Sequence, residues 1–284
     1  MTARPILGID IGGSGIKGAV VDVAQGTFLS ERVRLATPHP ARPEPVSQVV
    51  ATLVQQFAWH GPIGCTFPAI MKGGVAYTAA NVDVSWIGTN VQTLFAASTG
   101  CPITMLNDAD AAGLAELTFG AARGQAGTVL MLTFGTGIGS ALLVGGRLVP
   151  NTELGHLIIG RWTAETFASD RTRKRQRLSW KRWARRLDAL FIHLERLFAP
   201  DLFVVGGGVS NDDQHFLPLL SIRTPIVPAA LRNRRDHRGS LSCSVRPGKR
   251  REGSSARIVA CAMIARLANL PWSCARCHAV RRFV

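Results

Sequence analysis

Two glycine-rich turns, far apart in the chain, constrain this sequence most. The first is Ile9-Asp10-Ile11-Gly12-Gly13-Ser14-Gly15-Ile16-Lys17-Gly18, and the second is Leu132-Thr133-Phe134-Gly135-Thr136-Gly137-Ile138-Gly139-Ser140. Each lies between short apolar runs of strand type, so each predicts a β-hairpin closed by a glycine turn. Glycines in such a turn let the backbone approach phosphate oxygens and present N–H donors in a concave nest. Neither turn has Walker A spacing, and neither runs straight into a helix as a dinucleotide loop does. One such turn alone is most simply a hairpin. Two of them on parallel units point to a bound polyanion, with Gly12, Gly13, Ser14, Gly15, Gly135, Thr136 and Gly137 as candidate phosphate contacts and Lys17 adding charge. Asp10 is a candidate Mg²⁺ ligand through water, since magnesium keeps several waters and takes few carboxylates.

The periodicity around the turns is repeated. After the first hairpin, residues 46–59 carry apolar side chains at helical spacing, and the prolines of residues 37–45 mark a loop before them. Strands are expected at 63–67 and 102–106, with helices at 91–98 and 109–119. A second hairpin at 129–144 is followed by an amphipathic helix at 178–197 and a strand at 202–205. The strand–hairpin–helix unit thus occurs twice, which predicts an α/β architecture of two related domains with a ligand cleft between them. The expected divisions are residues 1–108, 109–233 and an atypical tail, 234–284.

Between the two turns stands Asn107-Asp108-Ala109-Asp110, at the end of an expected strand and the start of an expected helix. A carboxylate there can take a proton from a hydroxyl as it attacks phosphorus. Asn-Asp is also good helix-capping chemistry, and the two roles are compatible. Asp108 is therefore the candidate base, Asn107 a candidate sugar contact, and Asp110 a support for the helix N-terminus. Glu153-Leu154-Gly155-His156 adds two polar groups suited to pairing with sugar hydroxyls. Closed zinc sites need four ligands, and this segment supplies two. These groups together describe a kinase acting on a small alcohol.

The formal net charge is +15. It is concentrated in residues 161–196, with 11 Lys/Arg against 4 Asp/Glu, and in residues 232–284, with 13 against 2. Such segments attract polyanions, or simply form solvated faces. The run Arg171-Thr172-Arg173-Lys174-Arg175-Gln176-Arg177, with Lys181, Arg182, Arg185 and Arg186, admits both readings: a track for a long anion, or a charged helix face. Trp180 and Trp183, three apart, read as core or subunit contacts. No apolar run approaches the roughly 18 residues of a membrane span. The N-terminus lacks a signal-peptide core, so a cytoplasmic protein with six reduced cysteines is expected.

Taken together, Ile9–Gly18, Asn107–Ala112, Leu132–Ser140 and Glu153–His156 resemble the ROK family (repressors, open reading frames and sugar kinases). Thr66-Phe67-Pro68-Ala69, Ala79–Asp83, Ser85-Trp86 and Pro200–Ser210 are similar to its polyphosphate glucokinases. The resemblance covers roughly residues 5–233. It implies the actin/hexokinase-like (ribonuclease H-like) fold and phosphoryl transfer from polyphosphate, ATP or both to the 6-hydroxyl of glucose. It assigns Asp108 as base, Asn81, Asn107, Glu153 and His156 as glucose contacts, and Gly207 and Gly208 to the nucleotide or polyphosphate end. Mg²⁺ is the expected cofactor and a homodimer the expected assembly, with no zinc, no specific nucleic acid and no membrane. A different sugar such as mannose, or a catalytically impaired polyanion binder, are the alternatives. The family's transcription repressors place a helix-turn-helix before the first glycine turn, and a turn beginning at Ile9 leaves no room for one. One departure matters: Ile158 stands where the subgroup pattern Glu-Leu-Gly-His-Leu-Glu-Ile has its second glutamate. Losing one sugar hydroxyl contact there would cost about 1–3 kcal/mol.

After Asn233 the likeness stops. Arg234 to Ser242 can be encoded as CGC CGG GAT CAT CGG GGC AGC CTT AGC. Dropping the first base gives Ala-Gly-Ile-Ile-Gly-Ala-Ala-Leu-Ala, the small-residue helix the family places there. The tail is therefore read as out of frame, and its haem-type Cys274-Ala275-Arg276-Cys277-His278 motif as coincidence. Sequencing the gene across codon 233 tests this hypothesis: codons that restore the family helix in the other frame are expected, and codons that do not would refute it.

Overall fold

The computed structural model describes residues 5–231; the N-terminal four residues and the tail, with its frame reading and its haem-type motif, lie outside the described residues. The described chain forms two compact units that divide between Ala111 and Ala112.

In the first unit, β1 (Pro5–Gly12) and β2 (Gly15–Asp22) form the expected antiparallel hairpin, with Gly12 opposite Gly15. Two short strands, β3 (Thr27–Phe28) and β4 (Val33–Leu35), both pair with β2. Helix α1 (Pro43–Gln56) leads to β5 (Ile63–Phe67). The two-residue strands β6 (Met71–Lys72) and β7 (Val75–Ala76), helix α2 (Val91–Thr99), β8 (Ile103–Asn107) and the first turn of α3 (Asp108–Phe119) complete it. The sheet runs β3-β2-β1-β5-β8, with β1, β5 and β8 mutually parallel. Parallel strands covered by helices are apolar throughout, and all five residues of β5 are buried.

The second unit repeats this plan. Strands β9 (Thr128–Phe134) and β10 (Ile138–Val144) form an antiparallel hairpin, extended by β11 (Arg147–Val149). A small hairpin of β12 (Ile158–Ile159) and β13 (Trp162–Thr163) precedes α4 (Ala164–Ala168), α5 (Asp170–Arg175) and α6 (Trp180–Phe198). Strands β14 (Leu202–Gly206) and β15 (Ile226–Pro228) then add in parallel, giving the order β11-β10-β9-β14-β15. In both sheets a hairpin's first strand is the template for two later parallel strands.

The periodic helices lie close to their expected positions, with one correction. Helix α1 begins at Pro43, so Pro43, Glu44 and Pro45 belong to its first turn and not to a preceding loop. A helix's first N–H groups have no intrahelical acceptor, so proline loses nothing there. Helix α6 is capped by Ser179, whose side chain accepts from Arg182 N–H, and it buries Trp183, Leu187, Leu190, Phe191 and Leu194 on one face. Trp183 is fully buried, packs edge-on against Phe134 and Phe216, and donates its indole N–H to the Ala168 carbonyl. Trp180 stacks on Phe216 and His215. Among the described residues no helix is long and apolar enough to cross a membrane.

Candidate active site

In the first unit the predicted residues gather at the carboxyl ends of β1, β5 and β8. Asp10 is almost wholly buried, at 1% exposure. It lies in register with Thr66 on β5 and accepts that hydroxyl's hydrogen at 2.9 Å. Lys17, directly opposite Asp10 on β2, holds its ammonium 3.8 Å from the Asp10 carboxylate. The lysine charge is thereby balanced inside the sheet, with only 14% of its side chain exposed.

Beyond Gly12 the turn is held from two sides. The Thr37 hydroxyl donates to the Gly12 carbonyl, and the Arg34 guanidinium donates to the Ser14 carbonyl at 2.7 Å. Backbone contact makes glycine necessary at position 13, and at position 15 a side-chain group lies in the same space. A Cβ on Gly13 would stand 2.6 Å from the Asn81 carbonyl oxygen, and one on Gly15 would stand 2.6 Å from Arg34 Nε. Asn81 itself adopts the left-handed region, at φ 63°. The first glycine turn and Asn81 are therefore neighbours.

Asn107 ends β8 and fixes the start of α3. Its side-chain amide donates to the Ala69 carbonyl at 3.0 Å, while its oxygen accepts from the N–H groups of Ala109 and Asp110. That is an N-cap, and it binds the helix start to the segment after β5. The carboxylate of Asp108 stands half-buried at the first position of α3.

In the second unit the glycine turn joins Phe134 to Ile138, and the Gly135 N–H donates to the Gly137 carbonyl at 3.0 Å. Gly135 and Thr136 are exposed, and a Cβ on Gly135 would meet nothing within 4 Å. The backbone N–H of Arg171 donates to the Gly135 carbonyl, which sets the start of α5 against this turn. The carboxylate of Glu165 crowds Gly137, where a Cβ would lie 2.5 Å away.

Glu153 precedes and His156 ends a single 3₁₀ turn, Leu154–His156, that is packed onto the same hairpin. The Ser140 hydroxyl donates to the Thr152 carbonyl in a short contact and accepts from the Leu154 N–H at 3.0 Å. A Cβ on Gly155 would stand 2.1 Å from the Ile138 carbonyl oxygen. His156 is exposed, Glu153 half-buried, and Ile158 60% exposed. Gly207 and Gly208 follow β14, and Gly207 lies against the backbone of Phe134, where the turn begins. Gly207 has φ 85°, and a Cβ there would lie 2.3 Å from the Phe134 carbonyl oxygen. Gly208 has open space.

Much of the basic segment serves to build the second unit. Arg173 and Lys174 both pair with Asp170, and the Arg173 guanidinium lies 3.9 Å over the Trp180 ring. Arg186 donates to the Phe167 carbonyl and to Gln176. Arg171, Arg175, Arg177, Lys181, Arg182 and Arg185 face solvent.

Two supporting side chains, Arg34 and Thr37, lie outside every motif quoted from the sequence, and Thr66 and Ser140 lie inside such motifs without their supporting roles being legible there. The Asp10–Thr66 and Lys17–Arg34 pairings are strand-register facts, and no short motif carries them. Among the described residues no group of three His, Cys, Asp or Glu side chains is arranged to hold a metal.

The sequence model of the ROK family matches residues 6–167. A polyphosphate glucokinase of Mycobacterium tuberculosis (strain ATCC 25618 / H37Rv) is 47% identical over 245 residues, 86% of this chain and 92% of that protein. One from Mycobacterium leprae (strain TN) is 46% identical over 227 residues, 80% of this chain and 70% of that protein. Among solved structures, the inorganic polyphosphate/ATP-glucomannokinase from Arthrobacter sp. strain KM aligns with TM-score 0.82 and 46% identity, covering 94% of this chain and all of that one. A ROK family glucokinase from Streptomyces griseus, in complex with glucose and AMPPNP, aligns with TM-score 0.72 at 23% identity over 93% of this chain and 99% of that one, a likeness of fold.

The two glycines that follow β14 differ in a testable way. Gly207→Ala is expected to destabilise the protein by several kcal/mol, on the order of other large strain effects, whereas Gly208→Ala leaves the melting temperature within about a degree because nothing opposes its methyl group. Thermal unfolding of the two variants side by side checks this.

Proposed function

The chain belongs to the ROK family, with its actin/hexokinase-like fold, and we propose that it is a sugar kinase moving a phosphoryl group from inorganic polyphosphate or ATP to the 6-hydroxyl of glucose. The observation that carries this reading is the fixed position of Asp108, set by the three hydrogen bonds of Asn107. Support comes from the likeness to proteins named polyphosphate glucokinase and polyphosphate/ATP-glucomannokinase.

In this mechanism the Asp108 carboxylate accepts the proton of the glucose 6-hydroxyl as its oxygen bonds to the terminal phosphorus. The bridging P–O bond of the donor breaks, and polyphosphate leaves one phosphate shorter, or ATP leaves as ADP. Asn81, Asn107, Glu153 and His156 pair with sugar hydroxyls and set the orientation of the acceptor. The backbone of Gly12, Gly13, Ser14, Gly15, Gly135, Thr136 and Gly137 receives the donor phosphates, and Gly207 and Gly208 border its nucleotide or polyphosphate end.

Magnesium demands few protein carboxylates. Asp10, at the base of the first turn, is the carboxylate that would hold magnesium there through water, in exchange for its contacts with Thr66 and Lys17. Bound magnesium would neutralise donor phosphate charge. A cytoplasmic homodimer is the assembly this reading carries. Mannose is the second acceptor to consider, because the solved relative at 46% identity is named a glucomannokinase.

Two variants test the reading. Asp108→Asn keeps the size and most of the hydrogen bonding of the side chain, so kcat for glucose phosphorylation should fall by about 10³-fold, within the range for losing a general base, with glucose binding retained in calorimetry. A variant with near-normal kcat would remove Asp108 from the chemistry. Ile158→Glu should lower the KM for glucose by about 5- to 100-fold if a carboxylate at this exposed position regains a hydroxyl contact. An unchanged or raised KM would detach residue 158 from the sugar.

A further inference from the structure

Resting on the kinase reading above, we infer that Arg34 is a binding residue for the phosphoanhydride donor, gripping its phosphates at the first glycine turn. The sequence nominates Lys17 as the cation of this turn. The structure gives Lys17 another partner, Asp10, and buries most of its side chain.

Strand register explains where the missing charge comes from. Asp10 on β1 faces Lys17 on β2, and Lys17 faces Arg34 on β4. Directly opposed residues of adjacent strands place their side chains on the same face of the sheet. The row Asp10–Lys17–Arg34 therefore carries one anion and two cations. The anion and the inner cation balance, and the outer cation is left over. Among the described residues no carboxylate lies within ion-pair distance of Arg34.

Arg34 is exposed, yet its guanidinium does not trail into solvent. It folds over Gly15, in the space a Cβ would occupy, and donates from Nη2 to the Ser14 carbonyl at 2.7 Å. One donor of the fork thus anchors the group at the turn. A guanidinium carries five N–H donors in a planar fork that matches phosphate oxygens in pairs. Turn amides supply only partial charges, while a polyphosphate or triphosphate brings several full negative charges. Arg34 is the formal positive charge that the structure places beside those amides.

Three substitutions separate this role from a structural one. Arg34→Ala removes both charge and anchor. Arg34→Gln keeps a polar N–H group but loses the charge. Arg34→Lys keeps the charge but loses the fork. For the alanine and glutamine variants the KM for polyphosphate and for ATP should rise by at least about tenfold, the scale of a lost charge-assisted contact. The lysine variant should recover part of that loss. The KM for glucose and the melting temperature should stay near those of the unsubstituted protein. Calorimetric titration with inorganic tripolyphosphate gives a readout that does not need turnover, so the inference can be judged even if glucose is not the acceptor. Tripolyphosphate binding that weakens in Arg34→Gln supports it. A glutamine variant that binds tripolyphosphate as well as the unsubstituted chain, or an unsubstituted chain that does not bind it at all, would overturn it.

Discussion

At Gly207 an added Cβ would stand 2.3 Å from the Phe134 carbonyl oxygen, at Gly155 2.1 Å from that of Ile138, and at Gly13 2.6 Å from that of Asn81. Side chains are excluded wherever one backbone segment must lie against another. In the second unit this lets the Glu153–His156 turn and the end of β14 close on the same hairpin. In the first unit it seats Asn81 against the first turn. Real Cβ atoms do not approach backbone oxygens so closely, so each of these sites depends on glycine at its contact. Conformational freedom adds to this only at Gly207, where φ is positive.

A second constraint governs Asp108. The residue before it must end a parallel strand, start a helix and tie both to the neighbouring strand's loop. Asn107 does this with one amide, giving a hydrogen to Ala69 and taking two from the helix N-terminus. Capping and catalysis, which compete as explanations of an Asn-Asp pair in sequence, here fall to adjacent residues. The cap belongs to Asn107, and the chemistry we propose belongs to Asp108.

Both hairpins, the long helix and the Asn107-Asp108 junction were legible because each has a local signature: a glycine turn between apolar strands, a 3.6-residue apolar stripe, a capping pair. What was not legible depends on pairing between distant segments. Thr66 becomes the partner of Asp10 only because β5 lies in register with β1. Lys17 looks like a phosphate ligand by its place in the motif, and strand pairing also sets it opposite Asp10, with its ammonium 3.8 Å from that carboxylate. Helix α5 is six residues long with an entirely polar sequence, so periodicity could not find it. Its charge run looked uniform, yet Arg173 is folded onto Trp180 and Asp170 while Arg171 and Arg175 face solvent. The short strand Ile226–Pro228 ends in a proline that reads as a loop, and it is tolerated because the strand lies at the sheet edge.

The most direct measurement is glucose 6-phosphate formation by the purified chain, with Mg²⁺ and either polyphosphate or ATP as donor. The account predicts stoichiometric glucose 6-phosphate with at least one of these donors, with polyphosphate shortened or ADP released in step. A folded protein that binds glucose and tripolyphosphate but forms no sugar phosphate from either donor would contradict it.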